Sequence, residues 1–227
     1  MTAFFVRKRL FDVGSKDAPL RILITGFGAF GNVINNPSGR IARRFKRQTI
    51  RGADLVTRLF RVSYKQVDRD LPRILKRGRY DVVLLLGIAG NEKGIRLERF
   101  AKNRDRAKAA DVDRNVRRKR AINSKSQRRF ETNAPISELR LLLNRNGIRC
   151  RISKDAGGFL CNHAYYVAQD AIDRLGLKVT CLFVHVPPDR VAIRATKAKK
   201  TMPLRKQFQA VEQIAEFLCS SASVSDK

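Results

Sequence analysis

The sequence predicts a single α/β domain with three layers, in which helices cover both faces of an open, twisted and mostly parallel sheet. Segments patterned like buried strands alternate with segments of helical pattern, which is typical of parallel strands joined by crossover helices. The run from Asp81 to Leu86 shows no inside–outside alternation of apolar and polar residues. A strand of that kind needs cover on both of its faces.

The length and composition suit one domain with a core of its own. The chain has 227 residues, 43% of them hydrophobic, and a chain of this size buries most of its surface when it folds. We expect the domain to occupy residues 21–219, with a basic loop over residues 104–129. A basic arm of residues 1–20 precedes the domain, and a short tail of residues 220–227 follows it.

The first strand is expected at Arg21–Thr25 because of its β-branched content. It leads into the glycine-rich loop Gly26–Gly31. Asn36, followed by proline and serine, is a typical start for a helix, and the apolar positions that follow carry this helix to Phe45.

A second strand is expected at Leu55–Val62, followed by a helix at Tyr64–Arg77. The helix is predicted from one apolar stripe, formed by Val67, Leu71, Ile74 and Leu75. Pro72 lies within this stretch, and proline in a helix interior either weakens the prediction of a helix or places a break there. The unalternating strand Asp81–Leu86 comes next.

The second half of the chain continues the alternation. The helix that begins at Ile136 is expected to end at Asn146, because Gly147 is a typical stop. The elements predicted after it are the strand Ile148–Ile152, the helix Cys161–Leu175, the strand Val179–Val184 and the helix Arg205–Leu218.

The charge of the chain is strongly positive. Lysine and arginine number 49 against 20 aspartates and glutamates, which gives a net charge of +29. Such a chain attracts polyanions non-specifically by releasing their counterions. This charge has two interpretations. The first is a solvated surface that has become rich in arginine and lysine, and the second is a surface that binds nucleic acid or an anionic membrane.

The segment 104–129 concentrates this charge, with 11 basic and 3 acidic residues and almost no large apolar ones. We expect a surface excursion or a mobile loop there. The cluster at its centre, which would contact phosphates, consists of Arg117, Arg118, Lys119 and Arg120. No aromatic residue is interleaved for base stacking, so a plain solvated loop is the alternative.

Several classes of protein are disfavoured. No apolar run reaches the ~18–20 residues of a membrane span, and the start of the chain lacks the apolar core of a secretory signal. The cysteines contain no CxxC pair, and nothing in the sequence suggests a metal or a cofactor. The glycine-rich loop lacks the GxGxxG order of a dinucleotide site. We expect reduced thiols in a cytoplasmic protein.

Cys161 and the two histidines are the candidates for nucleophilic chemistry. Cys161 opens a predicted helix, where backbone amides stabilise the reactive thiolate. His185 follows a strand at the edge of the sheet where sites gather, whereas His163 diverges from Cys161 on the same helix. The alternative for Cys161 is a small buried apolar residue, which is our interpretation of the other cysteines, Cys150, Cys181 and Cys219.

Four motifs, spread in order over residues 21–218, carry a resemblance to a known family. They are Arg21–Gly31 with Asn36-Pro37-Ser38, Gly87–Gly90 with Ile95–Asn103, Asp155–His163, and Phe183–Pro187. Together they resemble pyroglutamyl peptidase type I, the pyrrolidone-carboxylate peptidase family. The resemblance implies a cysteine exopeptidase that removes an N-terminal pyroglutamyl (5-oxoprolyl) residue from peptides, without a cofactor. It also implies a homodimer or homotetramer, although the charge of each subunit opposes association.

The resemblance further implies roles for individual residues. Cys161 would be the nucleophile, His185 the general base and acid, and Glu98 the carboxylate that orients the imidazole. Phe27, Phe30 and Phe159 match the aromatic residues that enclose the lactam ring in the family, while plain core packing is the alternative for them. From the residues alone, Glu98 reads as an ordinary surface carboxylate.

Two departures from the family concern the substrate pocket. Ile88 stands where the family has a glutamine that binds the lactam, and isoleucine forms no hydrogen bond. Lys108 stands where the family has an arginine that supports the oxyanion. We therefore expect a pyroglutamyl peptidase with altered specificity. The alternatives are a peptidase acting on a less polar N-terminal group, and a weakly active or inactive protein of this fold that binds nucleic acid or another polyanion.

Overall fold

The computed structural model describes residues 19–50, 52–118, 121–192 and 201–222. The predicted N-terminal arm therefore lies almost wholly outside the described residues. In chain order the elements are β1 (Arg21–Phe27), α1 (Pro37–Phe45), β2 (Asp54–Phe60), α2 (Tyr64–Gly78), β3 (Val82–Ile88), β4 (Ile95–Glu98), β5 (Phe100–Lys102), β6 (Arg129–Glu131), α3 (Ile136–Arg145), β7 (Cys150–Ser153), α4 (Leu160–Arg174), β8 (Thr180–Val186) and α5 (Leu204–Ala222).

Six strands form the main sheet in the order β2-β1-β3-β8-β4-β7. The pairs β1–β2, β1–β3, β3–β8 and β4–β7 are parallel, and only β4–β8 is antiparallel. The predicted mostly parallel sheet is thus confirmed. A separate antiparallel pair, β5–β6, lies outside this sheet.

Helices cover both faces of the sheet, as predicted. One apolar cluster joins α2 and α4 to one face, and a second joins α1, α3 and α5 to the other. The central strand β3 is buried along six of its seven residues, which explains its lack of alternation. Among the described residues, none of the helices is both long and apolar enough to cross a membrane.

The structure differs from the local expectations at two points, each for a physical reason. The helix α2 runs through Pro72 without a break, because buried Val67, Leu71 and Leu75 hold both halves of the helix against the core. The short strands β4, β5 and β6 were not predicted. They hold only three or four residues each, which is too few for a periodic pattern.

The first part of the basic segment packs on the domain rather than projecting from it. Two of its three acidic residues face inward, and the third, Asp113, bonds to the domain from the surface. Asp105 is fully buried and Asp111 nearly so, and Asp111 accepts a hydrogen bond from the amide of Tyr64 at 2.9 Å. Asp113 accepts one from the hydroxyl of Ser63 at 2.5 Å. Asp111 and Asp113 therefore anchor the segment to the start of α2, which a count of charges does not reveal.

Candidate active site

The strands β4 and β8 bring a carboxylate and an imidazole to one face of the sheet. In their antiparallel register, Glu98 lies opposite Phe183 and Arg96 lies opposite His185. Residues two apart on a strand share a face, so Glu98 and His185 are diagonal neighbours within reach of their side chains. The helix α4 covers the same face and carries Cys161 in its first turn.

His185 contacts both of the other groups. Its Nδ1 lies 2.7 Å from Oε1 of Glu98, and its ring shares a side-chain hydrogen bond with the thiol of Cys161. Since Nδ1 is taken by the carboxylate, Nε2 is the ring nitrogen left for the sulfur. His185 is 4% exposed and Glu98 is fully buried, while Cys161 is partly accessible. The three side chains thus form a continuous chain from a buried carboxylate to an accessible thiol.

The charges in this chain favour the protonated imidazole. Burial alone would lower the pKa of His185, but the charge and hydrogen bond of Cys161, and then those of Glu98, raise it to about 9. Burial would raise the pKa of Glu98, but the hydrogen bond and charge of His185 and the charge of Arg96 hold it below its usual value. At neutral pH the site therefore combines an imidazolium with an ionised carboxylate.

Arg96 is a functional residue that the sequence did not single out. Its guanidinium lies 2.6 Å from Oε1 of Glu98 and donates to the carbonyl oxygen of Asp155 at 2.7 Å. It also pairs with Glu92 at 3.2 Å. This contact compensates the buried charge of Glu98 and links β4 to the loop that precedes Cys161. Its position two residues before Glu98, within the motif Ile95–Asn103, was the available signal.

The surroundings of Cys161 leave room for a reacting thiol. The helix α4 begins at Leu160, one residue earlier than predicted, and no side chain caps its first turn. Gly87 of β3 faces the sulfur: a Cβ at this position would lie 2.8 Å from Sγ. A side chain there would displace the thiol, so the glycine is a requirement of this packing.

Two of the predicted aromatic residues pack against each other at the start of α4, the helix that carries Cys161. Phe30 and Phe159 are half-buried, and their ring centroids lie 5.1 Å apart. Phe27 is buried and packs on Phe60 at 6.5 Å, which is a core contact. Ile88, the last residue of β3, is partly exposed.

Arg106, rather than the predicted Lys108, lies against the loop before Cys161. Its amide donates to the carbonyl oxygen of Gly158 at 2.9 Å, and its guanidinium bonds to Asp155 at 2.5 Å. Lys108 is exposed. The predicted oxyanion support by Lys108 therefore stays a prediction. The cations with described contacts to this loop are Arg106, Arg96 and Lys102.

His163, which was not favoured as a partner for Cys161, has other partners. Its Nδ1 lies 3.0 Å from Asp105 and its Nε2 lies 2.7 Å from Asp68. Arg117 bonds to the other oxygen of Asp68 at 2.8 Å. Burial would lower the pKa of His163, but the two carboxylates raise it. This buried ion cluster joins α4, α2 and the basic segment.

Asn162 provides a further contact that the sequence did not predict. Its side chain is fully buried, accepts from the amide of Lys102 at 2.9 Å and donates to the carbonyl oxygen of Lys102 at 2.8 Å. It therefore fixes β5, and with it the chain after Glu98, to the first turn of α4. Its position beside Cys161 was the only signal in the sequence.

The remaining cysteines are buried as predicted. Burial raises the pKa of Cys150 to about 12, and it raises that of Cys181 as well. Neither thiol is therefore suited to nucleophilic chemistry at neutral pH. Within the described residues, no group of three or more histidine, cysteine or acidic side chains is placed to hold a metal ion.

The predicted phosphate-contact cluster is only partly described. Arg117 faces inward to Asp68, and its guanidinium lies over the ring of Tyr64 at 4.5 Å. Arg118 is exposed. Lys119 and Arg120 lie outside the described residues. An inward-facing Arg117 is already neutralised by its carboxylate partner, which weakens the case for phosphate binding here.

Comparison with known proteins gives a consistent result. The sequence profile described as pyroglutamyl peptidase matches residues 20–220. A pyrrolidone-carboxylate peptidase of Ralstonia nicotianae is 35% identical over 166 residues, which cover 73% of this chain and 77% of that protein. One from Thermococcus litoralis is 30% identical over 197 residues, covering 85% of this chain and 90% of its own.

Solved structures agree with the sequence comparison. The crystal structure of a pyrrolidone carboxyl peptidase from Fervidobacterium islandicum is similar with a TM-score of 0.84 and 32% identity, covering 88% of this chain and 99% of its own. That of pyroglutamyl peptidase I from Bacillus amyloliquefaciens has a TM-score of 0.83 and 25% identity, with coverages of 89% and 96%.

Proposed function

The chain belongs to the pyroglutamyl peptidase family of cysteine peptidases, and from that premise we propose that Cys161, His185 and Glu98 are its catalytic triad. The reaction is removal of an N-terminal pyroglutamyl residue from a peptide. The observation that carries the proposal is the imidazole of His185, which bonds to the carboxylate of Glu98 on one side and to the thiol of Cys161 on the other.

Acylation requires the proton shared by Cys161 and His185 to lie on the imidazole, which the raised pKa of His185 favours. Sγ of Cys161 attacks the carbonyl carbon of the pyroglutamyl residue, and a C–S bond forms. His185 donates its Nε2 proton to the leaving amine, and the scissile C–N bond breaks. The uncapped amides in the first turn of α4 are available to stabilise the oxyanion. The product is a thioester and a peptide shortened by one residue.

Deacylation uses the same groups in reverse. The now neutral His185 takes a proton from water, the hydroxide attacks the thioester, and the C–S bond breaks to release pyroglutamate. Glu98 keeps the ring oriented through its bond to Nδ1 in both steps and stabilises the imidazolium. Arg96 holds Glu98 in place as a positioning residue.

The test of the triad is hydrolysis of a chromogenic pyroglutamyl amide at moderate salt. Cys161→Ser is expected to lower kcat by ~10³-fold or more, since serine lacks the acidity of a thiol. Alkylation of the purified protein should abolish activity, and Cys150→Ser should remain fully sensitive because its thiol is buried. Full activity in Cys161→Ser would exclude this mechanism.

We further propose that the pocket has altered specificity, and Ile88 is the observation that favours it. Ile88 ends β3 beside the site and has no polar atom for a lactam. Ile88→Gln is expected to raise kcat/KM for the pyroglutamyl amide by about tenfold, the worth of one hydrogen bond. The matched measurement uses a prolyl amide, whose rate should not rise. The proposal of altered specificity would be contradicted by two results together. The wild-type enzyme would strongly prefer the pyroglutamyl amide to the prolyl amide, and Ile88→Gln would not raise kcat/KM for the pyroglutamyl amide.

A further inference from the structure

A basic groove lies between α1 and the edge strand β2. It has a volume of about 920 Å³. Of the described side chains that line it, six are cationic and none is acidic. The six are Arg40, Arg43, Arg44, Lys46, Arg47 and Arg58. Among the strands that the structure describes, β2 pairs only with β1, so the groove opens along a strand edge that no other described strand occupies.

Most of these cations are not neutralised within the protein. Arg40 pairs with Asp189, and Arg44 lies over the ring of Phe208 at 4.4 Å. Among the described residues, the other four have no ion pair: Arg43, Lys46, Arg47 and Arg58 are all exposed. In the basic segment, by contrast, Arg117 bonds to Asp68. The groove thus holds four exposed cations without an ion pair among the described residues.

We propose that this groove binds the phosphate backbone of a nucleic acid. Its cations follow successive turns of α1, and six positive groups in so small a space match a partner with charges every few ångströms. Five of the six are arginines, whose planar guanidinium pairs with phosphate oxygens in two-point contacts. No aromatic side chain lines the groove, so bases are not stacked and binding is independent of sequence.

The groove is separate from the peptidase site. The helix α1 packs on the sheet face covered with α3 and α5, whereas Cys161 lies on the face covered by α2 and α4. Nucleic-acid binding is therefore independent of the proposed peptidase function, and each can fail without the other.

The experiment compares two charge reversals that change the net charge equally. Arg43→Glu with Arg47→Glu alters the groove, and Arg140→Glu with Arg145→Glu alters exposed positions on α3, at the other end of the sheet. Binding of the full chain to a labelled random-sequence DNA duplex is measured by anisotropy over a range of salt. Thermal unfolding of each variant checks that it folds.

The groove variant should bind DNA at least tenfold more weakly, and the slope of its log binding constant against log salt concentration should be smaller by about two. The affinity of the α3 variant should change less than threefold. Both should keep wild-type peptidase activity. Equal weakening in the two variants would mean diffuse attraction and would overturn the proposal. The proposal would also be overturned if poly-glutamate displaced the labelled duplex as well as unlabelled DNA of equal charge, because the partner would then be an acidic peptide.

Discussion

His185 and His163 are the two histidines of the chain, and both are buried beside carboxylates near the start of α4. They differ at the second ring nitrogen. In His185 one nitrogen meets Glu98 and the ring also bonds to the thiol of Cys161. In His163 both nitrogens meet carboxylates, those of Asp105 and Asp68. The arrangement at His185 can transfer a proton to and from a reacting group. At His163 both ring nitrogens are occupied by carboxylates, so the imidazole has a structural role.

A buried histidine–carboxylate pair therefore does not by itself indicate a catalytic site. Both imidazoles have raised pKa values, and in both the carboxylates help to raise them against burial. What distinguishes them is the accessible sulfur next to His185. The same chemical pair therefore serves as an acid–base group in one place and as a structural ion cluster in the other.

The largest expected effect is on activity, at the first histidine. His185→Gln removes the group that carries the proton, so kcat/KM for the pyroglutamyl amide should fall by ~10³-fold. The measurement is steady-state kinetics at neutral pH on protein checked for folding by circular dichroism. A loss of less than tenfold would erase the distinction between the two histidines.

The second effect is on stability, at the other histidine. His163→Gln leaves the fully buried carboxylate of Asp105 with only the more distant Arg117, at 3.8 Å, as a cation, so the free energy of unfolding should fall by about 3 kcal/mol. At a temperature where the variant is folded, kcat/KM should change by less than about threefold, since His163 does not contact the sulfur. Urea unfolding and kinetics measure the two quantities. A ~10³-fold kinetic loss with unchanged stability would reverse the assignment.

The smallest effect is a shift in pH dependence. The pKa of His185 is raised to about 9, so the imidazolium is present below that pH and activity should fall as pH rises through it. Glu98→Gln removes one of the negative charges that raise this pKa, so the residual activity should decline at a lower pH. The profile of kcat/KM against pH measures this, and His163→Gln is the control in which the decline should stay where it is. If kcat/KM of Glu98→Gln declined at the same pH as that of the wild type, Glu98 would not be a cause of the raised pKa of His185.

The sequence predicted the long elements well. The strands β1, β3 and β8 are buried apolar runs, and α1 and α3 begin or end at residues with clear signals, such as Asn36 and Gly147. Asn36 does cap α1, and Gly147 has a φ of +68°, which favours glycine. These features depend on neighbouring residues only, which is why the pattern alone was sufficient.

The candidate site was less accessible to the same reasoning. Glu98 became a candidate through the family resemblance alone, because β4 is short and its pairing with β8 is a contact over 87 residues. The ion cluster was missed for the same reason: Asp68 and Asp105 reach His163 from separations of 95 and 58 residues. Contacts of this kind depend on the topology of the sheet and leave no local pattern.

The antiparallel pairing of β4 with β8 limits where this protein can gain or lose residues in evolution. Glu98 reaches the imidazole because its position in the strand register places it on that face. The connections on either side of β4 can grow or shrink while the register holds. One residue inserted between Ile95 and Glu98 would instead turn the carboxylate toward the opposite helical layer. Lineages of this enzyme should therefore vary in the lengths of those connections and keep the spacing within the strand fixed.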